Sequence, residues 1–242
     1  MSTTTDGANE NAAGGSVRGA AGWLEADRDA RRAHRTAVTR QAASVLLGHP
    51  GQAFFERLPL VARAVAELPW GAVRTALREF CEHASTTPEP ELCEHYADVF
   101  GQRSLCLSRY GDASPCDRVP SEVARVYAEA GWAVPADEPP DHLTVVLEFA
   151  ARADARTGEA LLLRLRPGLD LLGEALRDHG TPYARVLDAV RMTLPERPGE
   201  GGPVHRLQVP PPRTGTDPGT RAGTDSGART GTAASDRPGG EP

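Results

Sequence analysis

Leu143, Val145, Val146, Leu147, Phe149, Ala150 and Ala151 place apolar side chains on nearly every side of one short helix. A helix of that kind is stable only inside a bundle, with other helices on its flanks. The residues in front of it suggest where it begins. Pro139 and Pro140 hold the backbone extended, and Asp141 follows where a carboxylate can accept the open amides of a first turn, so the spacing predicts a helix that opens at Asp141. Asp141 and His142 are thereby expected at the mouth of the core. Taken alone, they fit either a rigid loop with a capping aspartate or a binding feature.

The other large apolar residues recur at helical spacing, and no segment alternates with a period of two. Val38, Ala42, Val45 and Leu46 share one face of a segment from about 29 to 47, which Gly48 stops. Phe54 to Leu68 forms a second series with a kink expected at Pro59, and Trp70 to Cys81 a third. Pro88 and Pro90 open a fourth that carries Leu92, His95, Tyr96, Val99 and Phe100. Val119 to Ala130 is the fifth and the helix after Asp141 the sixth. Leu161 to Leu176 marks a seventh with a bend or break at Pro167-Gly168, and Thr181-Pro182 opens an eighth with Tyr183, Val186, Leu187 and Val190 on one face. The expected fold class is all-α, one helical bundle of about eight helices over residues 29–195. Residues 1–28 and 196–242 carry too few large apolar residues to pack. Both are expected to be disordered, the second including an approximate repeat that restarts at Arg213, Arg221 and Arg229.

Composition narrows the function. A formal net charge of -6 argues against a nucleic-acid surface. The absence of a membrane-length apolar run or a leader pattern leads to the expectation of a soluble, cytoplasmic protein. Cys81, Cys93, Cys106 and Cys116 never form C-x-x-C, and with the scattered histidines they match no zinc pattern. There is no glycine-rich phosphate loop, no G-x-S-x-G and no H-E-x-x-H. Asp141 and His142 are sequence neighbours, about 100° apart if helical, and make a poor acid–base dyad. Neither catalysis nor a resident cofactor or metal is expected. Charge is more informative. Glu79 to Asp98 holds six acidic residues and no arginine, and Val126 to Ala151 holds five and none. If both stretches flank one groove, it would attract a basic, partly apolar peptide, with Tyr96, Phe100, Leu105 and Tyr110 beside the carboxylates. The long polar segment 101–118, in which Leu105 and Tyr110 fall, is where a helical domain often places function.

The same residues carry a family pattern. Leu47 with Pro50, Tyr96-Ala97-Asp98-Val99-Phe100 leading to Ser104-Leu105-x-Leu107, Gly111-Asp112, the run Pro140 to Phe149, Pro182-Tyr183-Ala184-x-Val186-Leu187 and Leu194-Pro195 resemble the NarJ-type nitrate reductase molybdenum cofactor assembly chaperones. These form a branch of the redox-enzyme maturation chaperones, and the likeness covers residues 36 to 195. Glu138-Pro139-Pro140-Asp141-His142 matches the Glu-Pro-x-Asp-His loop of the wider family. The resemblance implies a helical chaperone without a permanent cofactor, monomeric or weakly dimeric. It would hold the N-terminal peptide of the catalytic (alpha) subunit of nitrate reductase until molybdenum cofactor is inserted and the enzyme docks at the membrane. Client binding would then fall on Glu138, Asp141 and His142. The chain departs from the family at Gly101, where an aspartate is usual, and at Cys106 and Ser108-Arg109, which replace an aromatic run and leave Tyr110. A chaperone for a different molybdoenzyme, or a helical scaffold or regulator without a client peptide, are the alternative readings.

Overall fold

A computed structural model of the chain describes residues 12–110, 118–134 and 138–196. The expected C-terminal tail from 197 onwards lies outside the described residues, as do residues 1–11 of the N-terminal arm, Gly111-Asp112, Cys116 and Asp137. The described residues form α1 (Ala12–Leu46), α2 (Gln52–Glu67), α3 (Ala72–Thr86), α4 (Glu89–Gln102), a 3-10 turn (Leu107–Tyr110), α5 (Arg118–Glu129), α6 (Leu143–Arg152), α7 (Ala155–Arg164), α8 (Arg166–His179) and α9 (Tyr183–Arg191). Among them no strand occurs, only an isolated antiparallel bridge between Cys106 and His142. The all-α expectation therefore holds.

α6 is the centre of the bundle. Leu143, Val145, Val146, Leu147, Phe149 and Ala150 are all buried. α1 packs along it and also meets α2, α3 and α9, while α3 packs on α9 and α8 on the 3-10 turn. Two polar links fix α1 against α6. Ser44 Oγ donates to the Thr144 carbonyl at 2.8 Å, and the fully buried Arg40 donates from Nη1 to the Ala150 carbonyl at 3.2 Å, near the negative end of α6. An aromatic layer joins α3, α4 and α9: Tyr183 lies 4.8 Å from Phe80 and 5.0 Å from Phe100 between ring centroids, and Tyr96 lies 4.8 Å from Phe100.

Four details differ from the reading of the sequence. α6 opens at Leu143 with His142 at its N-cap and no side-chain cap, so Asp141 does not cap it. α1 starts at Ala12, inside the arm expected to be disordered, although residues 22–35 are exposed. A helix nucleated by its packed end extends outward without a second nucleation cost, here through a sequence rich in Ala and Arg. α2 continues through the exposed Pro59, where water can stand in for the missing N–H donor. The break expected in the seventh helix falls at Leu165 rather than at Pro167-Gly168 and divides it into α7 and α8. Pro167 falls in the first turn of α8, where a missing N–H costs nothing.

Candidate functional site

The loop before α6 is held from two sides. Tyr127 Oη of α5 donates to the Pro140 carbonyl at 2.8 Å, and the segment 105–108 pairs with 141–143: the Leu107 amide donates to the Asp141 carbonyl at 3.2 Å and the Leu143 amide to the Leu105 carbonyl at 2.9 Å. Asp141 completes this pairing. Its side chain, only 1% exposed, accepts the Ser108 amide on Oδ2 at 2.9 Å. The carboxylate that could have capped α6 thus ties a distant loop to it instead.

What faces outward is His142. It lines a groove of about 620 Å³ whose walls come from α1 (Gln41, Ser44, Val45), the turn after it (Gly48, His49), α2 (Ala53, Phe54, Arg57), Tyr96 of α4, Glu138, and Thr144, Val145 and Glu148 of α6. Tyr96 is set by its edge-on contact with His49, 5.3 Å between centroids, and by an Oη hydrogen bond to the Leu47 carbonyl at 3.4 Å. Burial pushes its phenol up to about 12, so it serves the groove as a neutral donor and apolar wall. His142 Nδ1 lies 2.6 Å from Thr144 Oγ1. Burial lowers the pKa of His142 below the usual imidazole value, opposed in part by Glu138 and Asp141. The groove therefore carries two carboxylates, Glu138 and Glu148, one guanidinium, Arg57, and two imidazoles. Arg152 draws off part of the Glu148 charge, at 2.8 Å.

Gln41 also borders a second hollow of about 410 Å³. This one is apolar, walled by Val38 and Ala42 of α1, Leu60, Val61 and Ala64 of α2, and Ala151 of α6. From Gly48 to His34 the two hollows follow α1 for roughly 20 Å, at 1.5 Å of rise per residue. One end is polar and the other apolar.

Of the residues singled out in the sequence, Glu138, His142 and Tyr96 line this groove. Asp141 is buried behind it, and Phe100 supports Tyr96 from the aromatic layer. Leu105 belongs to the core, and Tyr110 packs against the core half-buried, away from the groove wall. The two acidic stretches contribute only Glu138 and Glu148 as carboxylates. Asp98 instead approaches His179 at 3.2 Å and Glu79 approaches Arg185 at 3.7 Å. His49, Arg57 and Gln41 were not singled out, and the Gly48-His49-Pro50-Gly51 break between two helices was the available signal for the first. Among the described residues no group of three or more His, Cys, Asp or Glu is arranged to hold a metal ion, and no helix is long and apolar enough to cross a membrane.

Part of the groove falls where the chain matches a known family: Tyr96, Glu138, His142 and the α6 lining residues lie inside the match, and the lining residues of α1, α2 and the turn between them lie before it. Residues 69–188 match the family model described as nitrate reductase delta subunit. The chain belongs to the nitrate reductase delta subunit family. Within reach of the family are the nitrate reductase-like protein NarX of Mycobacterium tuberculosis, 32% identical over 161 residues, and the probable nitrate reductase molybdenum cofactor assembly chaperone NarJ of Bacillus subtilis, 24% identical over 162 residues. The matched part is 64% of this chain and 24% of NarX, against 65% of this chain and 88% of NarJ. The chain thus spans about a quarter of NarX and nearly the whole of NarJ.

Proposed function

We propose that this protein is an assembly chaperone of a respiratory nitrate reductase, itself without catalytic activity. It holds the N-terminal segment of the apo catalytic subunit along α1 until molybdenum cofactor has been inserted and the enzyme can dock at the membrane. The observation that carries the reading is the likeness to NarJ over 88% of that protein's length. The groove is compatible with it. An amphipathic segment of the client would lay its apolar residues between Val38, Leu60 and Ala151 and bring a basic residue to Glu138 and Glu148, with His142 and Tyr96 as neighbours. Helix-in-groove binding of this type needs no cofactor.

The test is calorimetric titration of the full chain with the N-terminal peptide of the nitrate reductase catalytic subunit from the same host. Glu138→Gln and Tyr96→Ala should each weaken binding by about three- to thirtyfold without loss of fold. Binding should fall on acidification from about pH 7.5 to about pH 5.5, because protonated His142 adds positive charge beside Glu138, Glu148 and Arg57, and the fall should shrink in His142→Gln. No binding of the peptide by the folded wild-type chain would refute the reading.

A further inference from the structure

A different face of α1 carries a feature that the client groove does not use. Arg32, Arg35, Thr36 and Thr39 border a groove of about 310 Å³ together with Leu68, Pro69 and Trp70 at the α2–α3 turn, Val73 and Arg74 of α3, and Met192 and Thr193 beyond α9. Trp70 is 82% exposed, and the Arg74 guanidinium lies 4.0 Å over its ring while donating to the Leu68 carbonyl at 3.1 Å. That stacking fixes the indole upright, with its other face bare. Arg74 Nε is buried without a hydrogen-bond partner, and among the described residues neither Arg32, Arg35 nor Arg74 forms an ion pair. Of the nearby carboxylates, Glu67 lines an adjoining cleft with Arg31, His34 and Arg35, and Asp29 precedes Arg32 by one turn of α1, but neither forms an ion pair with Arg32 or Arg35, and Arg31 is already paired with Asp27. Along α1 this face continues outward, since Leu24, Arg28 and Arg35 fall within about 40° of one another at 100° per residue, all exposed.

We propose that this groove docks an acidic peptide segment of a partner protein that carries an aromatic or leucine anchor. Three unneutralised guanidiniums around an apolar floor leave a positive field that an acidic segment complements, and the exposed Trp70 and the half-exposed Met192 supply the surface for the anchor. The concave shape favours a peptide over a bilayer, which a convex basic helix face would suit better. This surface is separate from the client groove, so each can fail without the other.

Fluorescence anisotropy of a labelled peptide of Glu-Glu-Leu units around a central Phe, titrated with the full chain, tests the proposal, with the matching Lys-Lys-Leu peptide as control. The acidic peptide should bind and the basic one should not. Affinity should drop at least about tenfold between about 0.02 M and about 0.2 M salt, and by about as much in Arg32→Glu/Arg35→Glu and in Trp70→Ala. Glu138→Gln should leave it unchanged. Arg32→Gln/Arg35→Gln gives a milder version of the same loss should the charge reversal disturb α1, and circular dichroism of every variant reports the fold. Equal binding of both peptides, or full affinity in the folded arginine variants, would overturn the proposal. So would retention of the chain on phosphatidylglycerol vesicles through the same arginines while the acidic peptide stays unbound.

Discussion

Asp141 shows how a residue that reads one way in sequence acts another way in the fold. Its carboxylate accepts the Ser108 amide at 2.9 Å in a site 1% exposed, so removing it leaves a buried amide without an acceptor. Asp141→Ala should cost about 1–3 kcal/mol in urea unfolding. Asp141→Asn, whose side-chain carbonyl can accept the same amide, should cost less. Because the carboxylate does not reach the groove, loss of client affinity in Asp141→Ala should follow displacement of His142, while Glu138→Gln weakens binding at unchanged stability. Equal losses of stability in the alanine and asparagine variants would contradict the assigned hydrogen bond. Arg40 is the second buried ionisable group that matters here. Among the described residues no carboxylate forms an ion pair with it, and the carbonyl of Ala150 and the hydroxyl of Thr193, at 3.4 Å, replace only part of its hydration, so burial lowers its pKa, opposed in part by the charge of Glu159.

Between elements, two glycines allow backbone to meet backbone. A Cβ at Gly158 of α7 would stand 2.8 Å from the Ala150 carbonyl oxygen, and one at Gly168 of α8 would stand 2.6 Å from that of Leu107. Neither neighbour is a flexible side chain, so α7 would have to move off the end of α6, and α8 off the turn that carries Leu107. Gly158→Ala and Gly168→Ala should therefore destabilise by about 1–3 kcal/mol. Gly101 of α4 is the contrast, with nothing within 4 Å of its added Cβ. There the usual gain from replacing a helical glycine applies, so Gly101→Ala should stabilise by up to about 1 kcal/mol. Thermal unfolding of the three variants checks the reversal of sign. A gain in all three would mean that α7 and α8 do not approach their neighbours so closely.

For the whole molecule, acid is the expected weakness. Burial lowers the pKa of both His83 and His142, and His95 lowers His83 further. In the unfolded chain these imidazoles take up protons near pH 6.5, so below that value the unfolded state binds more protons than the folded one. Their contribution to stability is complete above about pH 6.5 and is lost as pH falls through the lowered folded values. The urea midpoint should drop from about pH 7.5 to about pH 5.5, and drop less in His83→Gln/His142→Gln. An unchanged midpoint in the wild type would count against both burials. Trimming the chain to residues 29–195 should leave cooperative unfolding nearly unchanged, since residues 22–35 bury nothing. A large loss of cooperativity would place part of the core outside those limits. The sequence by itself determined the all-α class and the place of most helices, because apolar spacing along a helix is a local property. It also marked the 143–151 segment as the centre, since a helix apolar on all sides has nowhere else to go. Tertiary structure alone decided which side chains share the groove. Asp141 finds Ser108, 33 residues away, rather than its own helix, Leu105 turns into the core, most of the acidic residues take other partners, and Arg57 of α2 and His49 of the turn before it enter through a packing that no local pattern records. Contacts of that kind depend on which helix faces meet in three dimensions, and spacing within a helix carries no information about its neighbours.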